Sequence, residues 1–71
     1  SYGADPLRGT VTRESEIAPV GGEAEGATAI PNPGYRFISW VDADGFNAGY
    51  FEEFAPWGSQ VYNGAVYTAL F

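Results

Sequence analysis

Pro31 to Gly45, PNPGYRFISWVDADG, constrains this chain more than any other stretch, because turn chemistry and strand chemistry agree along its whole length. Pro31 and Pro33 each fix their own φ and bias the preceding residue away from helix, and Gly34 can take a positive φ. Pro31-Asn32-Pro33-Gly34 is therefore predicted to be a tight turn. Tyr35 to Val41 follows as the predicted central strand, and Asp42-Ala43-Asp44-Gly45 closes a hairpin with Asp-Gly at its tip. Strict alternation places Tyr35, Phe37, Ser39 and Val41 on one face and Arg36, Ile38 and Trp40 on the other. Large apolar groups then stand on both faces. A chain of 71 residues rarely covers both sides of a strand. A bulge after Phe37 that turns Phe37 and Trp40 toward one core is the preferred reading.

The flanking segments read as material that pairs with this strand or covers it. Tyr2 anchors a short edge strand within Ser1–Asp5, which Pro6 ends by removing a backbone donor. Arg8-Gly9 is a turn signal and Thr10-Val11-Thr12 a β-branched strand, so a first hairpin is predicted here. Arg13 to Gly26 reads as a charged, glycine-rich connector with room for one helical turn capped by Thr12 or Ser15. Its carboxylates Glu14, Glu16, Glu23 and Glu25 are expected to form a solvated face. Ala27–Ile30 is a short strand of small side chains. After the hairpin the chain is expected to return within Phe46–Phe51, run through Glu52–Trp57 irregularly or as a single turn ended by Pro56, and form a short edge strand at Gln60–Tyr62. Ala65–Phe71 alternates cleanly and is the predicted last strand, with its Tyr67 and Phe71 face buried. The expected fold class is mainly β. It is a single domain over residues 1–71, with an antiparallel or mixed sheet of about four to six short strands and at most one short helical turn.

What the chain lacks excludes more functions than its motifs suggest. It has no cysteine, histidine, lysine or methionine. Disulfides, thiolate metal sites, cysteine nucleophiles, a zinc site and a Ser-His triad are thereby removed. So are the intramolecular isopeptide bond, which needs a lysine amine, and the thioester, which needs a cysteine thiol. No cofactor is expected. Nine Asp and Glu against three Arg give a formal charge of -6. Such a surface repels phosphate backbones and anionic lipid, so neither nucleic acid nor a membrane is an expected partner. No apolar run reaches the ~18 residues of a membrane span. Stability must come from packing or from neighbours, and two Trp, five Tyr and five Phe supply the area to bury. The chain opens on Ser1 and reads as a module cut from a longer protein.

Three groupings bear on chemistry. Asp42, Asp44 and Asn47 surround Gly45 and invite a calcium reading. An EF-hand loop, however, places glycine sixth and glutamate twelfth, whereas glycine is fourth from Asp42 here. A hairpin turn is the stronger reading and a calcium site the alternative. Glu52 and Glu53 are adjacent, so on a strand they point to opposite faces and cannot share one substrate atom. No enzymatic activity is expected. Phe46, Tyr50, Phe51, Phe54, Trp57 and Tyr62 concentrate aromatic side chains after the hairpin. A satellite core is the plain reading. The functional one is a platform for sugar rings or a protein surface, with Trp57, Tyr62 and Tyr50 as its binding residues.

Gly9-Thr10-Val11, Gly26-Ala27-Thr28-Ala29, Pro33-Gly34-Tyr35-Arg36-Phe37-Ile38-Ser39-Trp40 and Tyr67-Thr68-Ala69-Leu70-Phe71 together resemble a known repeat. It is the divergent internalin-type B repeat, carried in tandem by large secreted or wall-anchored bacterial proteins. The shared pattern is a G-Y-x-F-x-x-W core and a closing Y-x-A-x-F strand. It covers residues 9–45 and 65–71 and fades between Phe46 and Asn63. Leu70 stands where such repeats usually carry a polar residue, so an exposed apolar side chain is expected to meet a neighbouring domain. The resemblance implies a small β-grasp-like domain, extracellular, secreted or attached to the cell wall. It implies a stalk, spacer or adhesion unit without catalysis. The implied partners are neighbouring repeat domains of the same chain and a host glycan or protein. The alternative function is a glycan- or protein-binding domain in its own right, using the aromatic surface between Phe46 and Asn63.

Overall fold

The computed structural model describes every residue from Ser1 to Phe71. It contains strands β1 (Tyr2–Ala4), β2 (Gly9–Val11), β3 (Ala27–Pro31), β4 (Ser39–Val41), β5 (Asn47–Gly49), β6 (Glu53–Phe54) and β7 (Tyr67–Leu70). A single 3-10 turn, Gly58–Gln60, lies between β6 and β7. The mainly β class expected from the sequence is the one observed, with the strands divided between two sheets. The larger is mixed, in the order β1-β7-β4-β5, and the smaller is β2-β3-β6. β1 runs parallel to β7, Tyr2 opposite Tyr67. Every other pairing is antiparallel.

The sheets meet through aromatic rings. Trp40 on β4 has no exposed surface. Its ring stacks on Phe54 of β6 at 5.5 Å and meets Tyr2 of β1 edge-on at 6.0 Å. Phe54 meets Tyr67 of β7 at 4.9 Å, and Tyr67 stacks on Tyr2 at 6.5 Å. Four rings from four strands thus form a closed cycle, in the edge-on and offset geometries that ring quadrupoles favour. The indole N–H, which needs an acceptor when buried, donates to the Glu52 carbonyl at 3.1 Å. The small sheet approaches closely because its inner face carries little: Gly9, Ala27 and Ala29 are all buried. A Cβ at Gly9 would stand 2.6 Å from the Phe71 ring.

Several expectations change. The central strand is not Tyr35–Val41 but Ser39–Val41, because the Tyr35 N–H closes the preceding turn onto Asn32 O at 3.0 Å. Phe37 still reaches Trp40, with ring centroids 6.4 Å apart, but irregular backbone brings it there rather than a bulge after Phe37. The register shift of β4 against β5 falls later, between Trp40 and Val41. β1 and β2 form no hairpin, since they belong to different sheets. Gln60–Tyr62 is no strand, and Gln60 closes the 3-10 turn instead. Glu53–Phe54, expected to be irregular, pairs with Ala27 and Thr28. No helical turn forms between Arg13 and Gly26. The last strand keeps its predicted face, with Tyr67, Ala69 and Phe71 buried.

Gly26 and Gly34 separate two costs of adding a methyl group. Both have positive φ, 85° and 89°. Around Gly34 the space is open, whereas a Cβ at Gly26 would overlap the Phe54 carbonyl. Gly34→Ala should cost about 1–2 kcal/mol from backbone strain alone. Gly26→Ala should abolish the cooperative thermal transition followed by circular dichroism.

Candidate functional site

Where β1 and β7 begin side by side, the connector between β2 and β3 folds over them. A groove of about 670 Å³ is left beneath it. Its deeper side is formed by the buried Val61 and Tyr67, and its exposed side by Ile17, Val20, Tyr62 and Val66. The connector is strapped down by backbone bonds: Gly21 N to Val61 O at 2.9 Å, Ala24 N to Pro56 O at 2.9 Å, and Gly58 N to Gly22 O at 2.9 Å. A bridge between Glu23 and Trp57 completes the strap. The volume falls within the ~300–1,000 Å³ of small-ligand clefts. The lining suits an apolar or aromatic group.

Glu16 holds the other end of the connector. One carboxylate oxygen accepts the Glu25 N–H at 2.8 Å, and the other accepts the Gly26 N–H at 3.0 Å. Arg13 pairs with Glu16 at 3.1 Å and with Glu25 at 2.9 Å. The expected solvated acidic face is thus corrected at this residue, because the Glu16 side chain is only 15% exposed and serves as a backbone acceptor. Burial raises the Glu16 carboxyl. The Arg13 guanidinium and the two N–H donors outweigh it and hold the group below its ordinary 4.5. Tyr2 responds in the opposite sense: burial first, then the Glu16 charge, pushes its phenol up to about 12. Burial raises Tyr67 as well, and its hydroxyl donates to Gln60 O at 2.6 Å. Both phenols therefore stay protonated at neutral pH and offer no nucleophile.

The residues singled out from the sequence do not converge. Tyr62 lines the groove, whereas Trp57 and Tyr50 stand outside it. Trp57 is 70% exposed and Tyr50 74%, and neither ring stacks on another aromatic. Of the six aromatics from Phe46 to Tyr62, only Phe54 joins the core, so a satellite core does not form. Asp42 Oδ1 accepts the N–H groups of Asp44 and Phe46, both at 3.0 Å, which spends that oxygen on the hairpin turn. Asn47 lies on β5 opposite Val41. No cluster of three or more His, Cys, Asp or Glu side chains gathers anywhere in the fold. Sequence reasoning missed the groove and the Glu16 anchor. The signal for the latter was Arg13-x-x-Glu16, opposite charges three residues apart.

A mixed sheet and a small second sheet closed on aromatic rings, with an apolar groove and no reactive cluster, define a small β module. Residues 5–61 match the model of the divergent InlB B-repeat domain, and the chain belongs to that family, which is found in bacterial surface proteins. The match runs through β5, β6 and the 3-10 turn, where the residue-level resemblance fades, and stops before β7. Neither among curated proteins nor among solved structures does the chain have a match.

The shifts give a pH dependence with opposite signs at the two extremes. Tyr2 holds its proton more tightly folded than unfolded, so its contribution is complete below its ordinary 10.0 and is lost as pH rises toward about 12. Glu16 holds its proton less tightly folded, so its contribution disappears as pH falls through the carboxylate range. Denaturant melts should show stability falling at both ends. Tyr2→Phe should flatten the alkaline fall, and Glu16→Gln the acid one.

Proposed function

We propose that this domain is a non-enzymatic extracellular unit of a bacterial surface protein, a stalk or spacer whose neighbours are further repeat modules. The observation that carries this reading is the parallel pairing of β1 with β7. A chain arriving at Tyr2 comes in at one end of the sheet, and a chain continuing past Phe71 leaves at the other. Modules joined this way extend instead of doubling back. Apolar side chains are exposed at both ends: Ile17, Val20, Tyr62 and Val66 near Tyr2, and Leu7, Ile38 and Leu70 near Phe71. Contacts between consecutive units would bury them, the nearest-neighbour stabilisation typical of repeat arrays. Leu70 is one such contact. The acidic surface disfavours lateral association.

Two or four copies joined in series should show, by small-angle scattering, a maximum dimension that grows by a steady increment per copy. That increment is bounded by the 36 Å longest extent of one unit. A dimension that levels off with copy number would reject the spacer reading. Thermal melts should show a higher midpoint in series than for one unit, with the gain reduced by Leu70→Asp.

A second reading, glycan or protein binding, is favoured by the exposure of Trp57, Tyr50 and Tyr62. Trp40 is sealed, so a tryptophan fluorescence response to added glycans would report on Trp57. Loss of that response in Trp57→Ala would establish this reading, and silence across a broad glycan panel would remove it.

A further inference from the structure

We propose that Asn63 is a self-modifying site, whose side-chain amide converts to a carboxylate through attack by the backbone nitrogen of Gly64. Both residues are exposed in a turn closed by the Ala65 N–H on Tyr62 O at 3.2 Å. The Gly64 N–H donates to no backbone carbonyl, and the space around its α-carbon is open. With no side chain at Gly64, nothing shields the nitrogen from the neighbouring amide carbon. The nitrogen bonds to Asn63 Cγ, the Cγ–Nδ2 bond breaks, and ammonia leaves with the proton lost from Gly64. The five-membered imide that results is opened by solvent water at either carbonyl. One opening leaves an aspartyl linkage and the other an isoaspartyl linkage. No oxidant or cofactor is needed.

The rest of the chain supplies its own comparisons. Asn32 precedes Pro33, whose nitrogen carries no hydrogen, and its side-chain nitrogen donates to Pro6 O at 3.2 Å. Asn47 lies on β5, in extended backbone, before the side-chain-bearing Ala48. Asp44-Gly45 is the same kind of pair, but there the Gly45 N–H is held by Asp42 O at 3.1 Å. Only at Asn63 do a reactive pair, exposure and an unengaged nitrogen coincide. The change acts on the groove, which Asn63 and Gly64 line together with Glu16 and Tyr62. It adds a negative charge there. The isoaspartyl form also lengthens the backbone just before β7, where Tyr67 must meet both Tyr2 and Gln60 O.

The test is peptide mapping of the folded chain after incubation at mildly alkaline pH. Cleavage after Glu53 frees Phe54–Phe71, in which Asn63 is the sole asparagine. This peptide should resolve into aspartyl and isoaspartyl forms, the second labelled by an isoaspartyl methyltransferase, while Asn32 and Asn47 stay intact. The folded rate should lie within a few-fold of the rate in urea. Asn63→Ser should remove the label. The proposal is overturned if Asn63 stays intact, if Asn47 converts equally fast, or if folding slows Asn63 by an order of magnitude or more. A label that persists in Asn63→Ser would overturn it too.

Discussion

Trp40 touches both sheets at once, and the rest of the molecule is arranged so that it can. Its ring packs on Phe54 from the smaller sheet and on Tyr2 from the larger, while its N–H is satisfied by the Glu52 carbonyl. That carbonyl also accepts the Ala29 N–H at 2.9 Å, so one oxygen ties the indole to the strand behind it. The smaller sheet has strands of two to five residues and an inner face of glycine and alanine. Such a sheet is not stable alone. It persists because its small residues let Phe54 close over the indole, while the Phe71 ring packs on Phe37. A chain without cysteine or histidine gains its one fixed core in this way.

The features legible in the sequence were those written locally. Asp42 and Gly45 specify their turn through an Asx hydrogen bond and a φ of 84°, and both signals lie within four residues. The alternation of Tyr67, Ala69 and Phe71 marks a buried face wherever the strand pairs. That Phe37 and Trp40 share a core followed from their size, even though the backbone route differed. What stayed hidden was long-range. Nothing in Tyr2–Ala4 announces a parallel partner some 65 residues away, because side-chain alternation carries no information about partner or direction. Glu53–Phe54 is too short to show any period. Glu16 read as one carboxylate among four, since burial of a charge depends on which donors the fold brings to it.

The connector between β2 and β3 shows how a segment without secondary structure can still be positioned. Its backbone is pinned at Val61, Pro56 and Gly58, and its far end is gathered by Glu16. Its apolar side chains Ile17 and Val20 remain outside the core. Polar bonds therefore set its place, and apolar packing adds little. Segments held in this way open more readily than a core strand. The groove beneath it is thus bounded by an element that polar bonds tie to the ring cycle, since the Tyr2 N–H donates to the connector's Glu14 O at 2.8 Å.

The exposed aromatics are set among acidic residues along the chain. Phe46, Tyr50, Phe51 and Trp57 all lie mostly in solvent, beside Asp42, Asp44, Glu52 and Glu53 in the chain. An apolar patch alone would favour association of like units. Here each exposed ring lies within a few residues of a carboxylate, so a second copy laid on it meets negative charge, and no lysine and few arginines are present to relieve it. Repulsion at contact range opposes face-to-face pairing while leaving the ring faces accessible. On the proposed spacer reading, the surfaces that meet another copy are the ends of the module, where apolar side chains lie near the path of the chain itself.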